Sequence, residues 1–241
     1  TPVSGFINTT SANLLALATA TPGVTINAAF YATGNITVNG AASANNGIDY
    51  SVGITTSGGA VILNGATTTL RAIYNSTAST ITANSITIFG TSSGSPSWIS
   101  QIGAMTINTA AIGGSITVTG NYIGTPGALG GVYQIGNITG ANGSNISFIS
   151  NNNISQNGAI ILVANTSGTA ANIIYDVTSG NKTSTILAGS LTIPAGSTSA
   201  INYIMKSAGS AINPSAIGSS TLPLPGYVLV DNTYGCTAST P

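Results

Sequence analysis

The sequence predicts an all-β chain and favours a solenoid built of short stacked strands. Ile, Val and Thr recur in short runs that alternate apolar with small polar side chains, a pattern typical of strands with one buried face. Gly, Asn and Ser separate these runs and are common turn residues. Several runs also resemble one another, as GNITVNG at 34–40 and GSITVTG at 114–120 do. A series of similar short strands is what stacked coils require.

Residues 1–23 differ from the rest and are predicted to form an N-terminal cap or donor segment. Residues 10–18 combine a cap-like Thr-Ser start with Leu and Ala, which are good helix formers. The Pro and Gly of 21–23 end this stretch. We expect either the one helix of the chain here or an extended terminal strand.

Residues 24–193 are predicted to form the solenoid body. Period-two alternation predicts strands at 24–27, 35–38, 60–63, 85–89, 104–107, 115–118, 145–149, 159–163, 171–176 and 184–193. The dipeptides Asn39-Gly40 and Asn64-Gly65 are predicted to be turns that follow strands, because Asn-Gly favours tight turns. Low charge suits stacked coils, since like charges in register on neighbouring strands repel each other.

Residues 194–241 are predicted to form a C-terminal cap or assembly segment. Four prolines, which fit neither helices nor central strands, occur at 194, 214, 223 and 225. Residues 227–230 are predicted to be the last strand. The end of a solenoid needs a cap because its core would otherwise be open.

An antiparallel β-sandwich is the alternative architecture. Many short strands with Gly and Asn turns also fit a sandwich, and the runs follow no strict period. Such a domain would resemble a pilin subunit, in which 1–23 or 226–235 leaves its own subunit and fills a neighbour's groove. Deletion of 1–23 would then abolish polymerisation, whereas in a solenoid it would remove only a cap.

The chain is almost uncharged, with three basic residues, three Asp, no Glu and no His among 241 residues. A Ser-His-Asp triad is excluded without His, and glycoside hydrolysis usually needs two neighbouring carboxylates. Asp49, Asp176 and Asp231 are far apart in sequence, which in a solenoid usually means separate coils. We therefore expect no enzyme, no metal and no cofactor. A glycan-active enzyme stays as a third hypothesis, which requires two of these Asp to converge.

The composition also bears on partners. Three cations are too few to neutralise the phosphates of a nucleic acid, and no apolar stretch is long enough for a transmembrane helix. Zero net charge promotes association, so we expect a homo-oligomer or polymer. The chain begins at Thr1 without Met, which indicates a processed product or a fragment of a secreted protein.

Three kinds of site residue are predicted. Trp98 is the candidate binding aromatic, because exposed Trp and Tyr often anchor contacts with proteins or sugars. Cys236 is the single cysteine and the candidate for a crosslink between chains. Candidate N-glycosylation sites, each in an Asn-x-Ser/Thr triplet, are Asn8, Asn35, Asn75, Asn137, Asn142, Asn145, Asn153, Asn165 and Asn181.

The segment SNISFISNNNISQNGAIILV at 144–163 resembles the coils of filamentous-haemagglutinin-type adhesins and related autotransporter passengers. Residues 34–40 (GNITVNG) and 114–120 (GSITVTG) contain phrases of the same kind, and the resemblance covers about 24–193. It implies a right-handed parallel β-helix, secretion, and a role in attachment or surface structure. The chain departs from that family in its irregular period, its short length and the lack of a recognisable secretion domain.

Together these features predict a non-enzymatic extracellular protein of the cell surface, structural or adhesive in role. We expect it to assemble into a filament or sheath or to form part of a long adhesin. Cell-surface glycans and host or neighbouring surfaces are the expected contacts. The alternative is a strand-donating pilus subunit with the sandwich fold.

Overall fold

The protein was analysed as a computed structural model, which describes residues 2–3, 7–10, 12–18, 20–94, 98–108, 112–123, 130–179, 184–207, 211–218, 221 and 223–232. All regular secondary structure within these residues is β-strand, and it forms three sheets of nine, eight and nine strands. Sheet A contains β1 (Pro2–Val3), β4 (Val24–Ile26), β7 (Ile48–Tyr50), β10 (Ile73–Asn75), β13 (Trp98–Ile102), β16 (Gly130–Gln134), β19 (Asn153–Gln156), β22 (Ile186–Ala188) and β25 (Ile212–Pro214). Sheet B contains β2 (Ile7–Thr9), β5 (Phe30–Ala32), β8 (Ile54–Thr56), β11 (Thr80–Ala83), β14 (Ala104–Ile107), β17 (Ile138–Gly140), β20 (Ile160–Leu162) and β23 (Leu191–Thr192). Sheet C contains β3 (Ala12–Ala18), β6 (Ile36–Ala42), β9 (Ala60–Thr67), β12 (Ser85–Ser92), β15 (Ser115–Tyr122), β18 (Asn145–Ser150), β21 (Ala171–Val177), β24 (Ile201–Ser207) and β26 (Val228–Asp231).

The chain visits sheets A, B and C in turn, and each round forms one coil. Strands pair in parallel with the strands three places before and after them in the chain, as β9 does with β6 and β12. The exception is the last coil, in which sheet B contributes no strand in the described part of the chain and β26 pairs with β24. The prediction of an all-β parallel solenoid is therefore confirmed. The antiparallel sandwich is wrong, because consecutive strands of this chain lie in different sheets and never pair with each other within the described residues.

The segment that could have been a helix is strand β3. All seven of its residues pair in register with β6, from Ala12 with Ile36 to Ala18 with Ala42. This pairing provides hydrogen bonds and apolar contacts along the whole strand, which outweigh the modest helix propensity of Leu and Ala. At the other end, strands β24, β25 and β26 lie within 194–241 and continue the sheets. The division into a body and two caps stays a prediction.

The core consists of stacked β-branched side chains that point inward from all three sheets. In sheet C one inward column runs through Ile36, Val61, Ile86, Ile116, Ile146 and Ile173, all of which are fully buried. Burial of one side chain of this size contributes about 1.5–3 kcal/mol to stability. Because these side chains are buried against those of the neighbouring coils, stacking stabilises each coil. Further along, aromatic rings continue the core, with Phe148 stacked on Tyr175 at 5.2 Å between ring centroids.

A second inward column of sheet C consists of glycines, and it corrects the turn prediction. Asn39-Gly40 and Asn64-Gly65 lie inside strands β6 and β9, where Gly40, Gly65, Gly90 and Gly120 are register partners in successive coils. A Cβ on Gly65 would overlap the carbonyl oxygen of Ala72, because the backbone at the start of the next sheet A strand passes directly against this column. At Gly40, Gly65 and Gly120 glycine is therefore required by close backbone approach and not by a turn, whereas at Gly90 the nearest atom is the side-chain oxygen of Ser100.

The coils differ in length, which explains the lack of a strict period in the sequence. Register partners in neighbouring coils are separated by 22 residues from Val132 to Ile154 but by 33 from Met105 to Ile138. The variation lies in the linkers, while the paired strands keep the same inward and outward alternation.

Candidate functional surface

The outward face of sheet C carries a ladder of asparagines across its first three coils. Asn64 Nδ2 donates to Asn39 Oδ1 at 2.8 Å, and Asn39 Nδ2 donates to Asn13 Oδ1 at 3.4 Å. A second ladder follows in later coils, where the amide of Asn172 donates to Asn145 Oδ1 at 3.1 Å. These neutral amides link outward positions of adjacent coils, where an ordinary soluble domain carries many charged residues.

Half of the chain's six charged side chains stand in one column at the other end of sheet C. Asp176 and Lys206 are register partners, and Lys206 and Asp231 are register partners on the next pair of strands. Asp176 Oδ1 also accepts a hydrogen bond from Thr178 N at 2.8 Å. The expectation that the three Asp lie on separate coils holds in that each is on its own strand, but Asp176 and Asp231 share a column, with a lysine between them.

The third aspartate, Asp49, lies on strand β7 of sheet A, and the chain's only arginine, Arg71, lies in the linker just before strand β10 of the same sheet. Burial raises the pKa of the Asp49 carboxyl above its ordinary value, while a hydrogen bond with the Asn46 side chain and the positive charge of Arg71 act in the opposite direction. The Arg71 guanidinium carbon lies 4.5 Å from the centre of the Tyr74 ring, in a cation–π contact. This pair of opposite charges leaves the outward face of sheet A without net charge in these coils.

Beside Arg71, the outward face of sheet A bears a row that we call the aromatic strip, made of Tyr74, Trp98, Gln101 and Tyr133. Tyr74 is the register partner of Gln101, which is the register partner of Tyr133. The rings of Trp98 and Tyr133 are stacked, with centroids 5.0 Å apart and planes inclined by 20°. All four side chains are partly exposed. Trp98, the predicted binding aromatic, thus belongs to a cluster and is not an isolated core residue.

Neighbouring hydrogen bonds hold the aromatic strip in place. Gln101 Nε2 donates to the backbone oxygen of Asn75 at 3.2 Å. The Tyr133 hydroxyl accepts a hydrogen bond from Asn157 Nδ2 at 3.1 Å, and Asn157 Oδ1 in turn accepts one from Ser155 at 3.0 Å. These bonds hold the side chains of Gln101 and Tyr133 in place.

An apolar groove of about 430 Å³ lies on the outward face of sheet C near its first strand. Leu15 and Leu17 of β3 point outward and are 83% and 85% exposed. Ala41, Ala66 and the partly exposed ring of Phe89 extend the same surface over the following coils. Large exposed apolar side chains in a row mark a surface that other molecules contact.

The predicted glycosylation sites fall into different environments. Asn75 and Asn165 are buried, and their side-chain amides donate to backbone oxygens within the solenoid, Asn75 to Tyr50 O at 3.1 Å. Asn35 and Asn137 are exposed, and their Nδ2 groups make no hydrogen bond within the described residues.

The remaining sequons are less accessible or not described. Asn142 donates to Thr166 Oγ1 at 2.9 Å, and the side-chain oxygens of Asn145 and Asn153 accept hydrogen bonds from neighbouring coils. The backbone of Asn8 lies in β2. Asn181 and Cys236 lie outside the described residues.

The columns of outward side chains described above are not visible in the sequence, because each joins residues about one coil apart and the coil length varies. The available signal is the phrase Ile/Val-x-Val/Leu/Ile-x-Gly, which recurs at 36–40, 61–65, 86–90 and 116–120. Alignment on its glycine places Asn39 beside Asn64 and indicates the ladder. No comparable phrase marks the strip of sheet A.

Two further observations concern the described residues only. They include no group of His, Cys, Asp and Glu side chains that could hold a metal ion. They also include no helix with the length and apolarity to cross a membrane. Comparison with known proteins finds no matching family, no matching curated protein and no matching solved structure.

Proposed function

We propose that the chain is a non-enzymatic extracellular protein of the cell surface, structural or adhesive in role. The observation that carries the proposal is the almost uncharged exterior of a parallel solenoid, where ladders of amide side chains join one coil to the next. Such a surface presents a long regular array of neutral hydrogen-bonding groups, which suits contact with other surfaces better than chemistry at one point. The resemblance of 144–163 to adhesin coils supports the same role and the extracellular location.

The edges of sheet C support addition of further coils. Strand β3 pairs only with β6, and β26 pairs only with β24, so each presents an unpaired backbone edge within the described residues. Val228 and Val230 are register partners of the buried Tyr203 and Met205, yet they are 49% and 52% exposed. A coil placed against β26 would cover these side chains and extend the parallel sheet. In a filament or sheath this additional coil would belong to a second copy of the chain, and in a long adhesin it would belong to the same polypeptide.

The positions of the carboxylates support a role without catalysis. Asp49 lies on sheet A, whereas Asp176 and Asp231 lie on sheet C with Lys206 between them. Neighbouring strands are about 4.8 Å apart, which puts the two sheet C carboxylates roughly 10 Å from each other on an open face. Lys206 also lies between the two carboxylates, in the space where a pair of catalytic carboxylates would hold the scissile bond.

Assembly is tested with sedimentation velocity over a range of protein concentrations, followed by electron cryo-microscopy at neutral and acidic pH. The expected result is either filaments with strands perpendicular to the filament axis or elongated monomers that adhere to surfaces. In the filament case, Val230→Lys puts an inward charge on the β26 edge and should prevent growth. Leu187→Lys is the matched control, because Leu187 is 46% exposed but points outward from sheet A.

Catalysis is tested separately by incubation of the protein with polysaccharides and measurement of released reducing ends. We expect no turnover. Turnover that disappears in Asp176→Asn or Asp231→Asn would refute the non-enzymatic role and establish the glycan-active alternative.

A further inference from the structure

We propose that the aromatic strip of sheet A binds an uncharged polysaccharide laid along the solenoid axis. The inference rests on the adhesive role proposed above and names the ligand class and the surface. The strip combines two stacked rings with an amide and a second tyrosine in adjacent coils. A sugar ring offers hydroxyl groups at its edge and apolar C–H groups on its face, so amide and aromatic side chains together match both.

The polar atoms of the strip are free to reach a ligand. Within the described residues, the indole N–H of Trp98, the oxygen Oε1 of Gln101 and the hydroxyl of Tyr74 make no hydrogen bond, and none of these atoms is buried. The Tyr133 hydroxyl accepts from Asn157 and keeps its own O–H for donation. The strip thus offers at least two donors and one acceptor, and hydroxyl groups of a sugar can pair with either kind.

The charges beside the strip favour a neutral ligand over an acidic one. Arg71 is the cation close to these residues, and its guanidinium lies against the Tyr74 ring, with the Asp49 carboxylate nearby. Its attraction for an anion is offset by this carboxylate. An acidic polysaccharide or a nucleic acid would therefore gain little from the strip.

The geometry favours a chain molecule over a compact one. Tyr74, Gln101 and Tyr133 occupy the same outward position in three successive coils, so the polar groups repeat at about 4.8 Å along the axis. The supporting hydrogen bonds to Gln101 and Tyr133 limit the side-chain entropy that binding would cost. The apolar groove of sheet C, with its exposed Leu15 and Leu17, offers a protein partner more aliphatic surface than the strip does.

Trp98 is the only tryptophan in the chain, so its fluorescence reports on this strip alone. The test is a titration of the full chain with soluble neutral polysaccharides (glucomannan, xyloglucan, galactomannan and dextran) and with alginate as the acidic comparison. We expect a saturable change in Trp98 emission with at least one neutral polysaccharide, unchanged between 50 mM and 500 mM NaCl. A response to alginate alone, or to none of the five, would overturn the proposal.

Variants then localise the effect. Tyr74→Ala and Gln101→Ala keep the tryptophan and should each weaken binding about tenfold, consistent with the loss of one stacking or hydrogen-bonding group. Tyr31→Ala is the matched control, because Tyr31 is an outward, 41% exposed tyrosine on sheet B, and it should bind like the parent chain. Equal binding by all three variants would refute the assignment to this strip. Sedimentation of the same samples separates this failure from that of the proposed assembly, which does not involve the strip.

Discussion

Substitution of Gly65 by Ala tests the glycine column most sharply. An ideal Cβ at this position would overlap the carbonyl oxygen of Ala72, lie 2.6 Å from Ile73 Cγ1 and lie 2.7 Å from the Ala72 carbonyl carbon. Two of these three atoms belong to the backbone and cannot move away by a change of rotamer. Relief of the overlap therefore requires sheet C to separate from the start of the next sheet A strand.

The expected loss of stability follows from two opposing effects. Replacement of a strand glycine by alanine normally stabilises by about 0.5–1 kcal/mol, because the unfolded chain loses freedom. Overpacking of a rigid site costs about 1–3 kcal/mol and sometimes more. We expect a net loss of about 2 kcal/mol in the free energy of unfolding, which lowers Tm by roughly 4–8 °C for a chain of this size. Circular dichroism during thermal and urea unfolding measures both quantities.

Gly53 and Gly90 provide the comparison. A Cβ at Gly53 meets only Thr80 O at 3.5 Å, an ordinary contact, so Gly53→Ala should be neutral or slightly stabilising. At Gly90 the nearest atom is the side-chain oxygen of Ser100, which can rotate, so Gly90→Ala should cost less than Gly65→Ala. If Gly65→Ala unfolds at the same temperature as Gly53→Ala, the close approach of the two sheets is not what selects glycine.

Four further predictions concern the amides, the titrating groups and the sequons. Asn39→Asp should lower stability by about 1 kcal/mol at pH 7 and less at pH 3, measured by urea unfolding, because the carboxylate lacks the N–H that reaches the next rung. Because the pKa of Asp49 is raised in the folded chain, its carboxyl group contributes most to stability below pH 3.8, its pKa in the unfolded chain, and this contribution is lost as pH rises through the folded pKa. Asp49→Asn should therefore raise the free energy of unfolding at pH 7 and make it depend less on pH between 3 and 7. Burial raises the pKa of Tyr203 to about 12, so the free energy of unfolding should fall between pH 10 and 12. Phenolate absorbance at 295 nm should show that Tyr203 ionises at a lower pH when the chain is unfolded in urea. In a eukaryotic secretory host, mass spectrometry of the secreted protein should find glycan on Asn35 and none on Asn75, because a glycan on the buried amide is incompatible with the folded coil.

The fold class could be predicted from sequence because strand periodicity is local. Runs such as 85–89 and 115–118 show the buried and exposed alternation that β12 and β15 have in the structure. The similarity of these runs favours a solenoid, and the structure places Ile86 opposite Ile116 in a parallel pair of strands. Strand β3 was ambiguous, because its Leu and Ala suit a helix and only pairing with β6 decides for a strand.

The candidate surface could be predicted only in part. The residue type alone makes Trp98 a candidate binding aromatic, but its stacking on Tyr133 depends on a partner 35 positions later in the chain. Asn39 and Asn64 were assigned to turns, since Asn-Gly is a turn signal when no close contact demands the glycine. The column of Asp176, Lys206 and Asp231 was missed because coil length varies and register is not visible in one sequence.

The linkers between sheets show where this solenoid can vary. From sheet A to sheet B the described linkers remain short, from Gly103 alone to the four residues 76–79. The described linkers on either side of sheet C are longer in several coils, as at 163–170 and 193–200 before it and at 43–47 and 68–72 after it. Segments inserted at those two corners would project sideways while the stacked strands keep their places. The same scaffold can thus display loops of different length and chemistry along two of its edges, while the linkers along the third edge, from sheet A to sheet B, stay short.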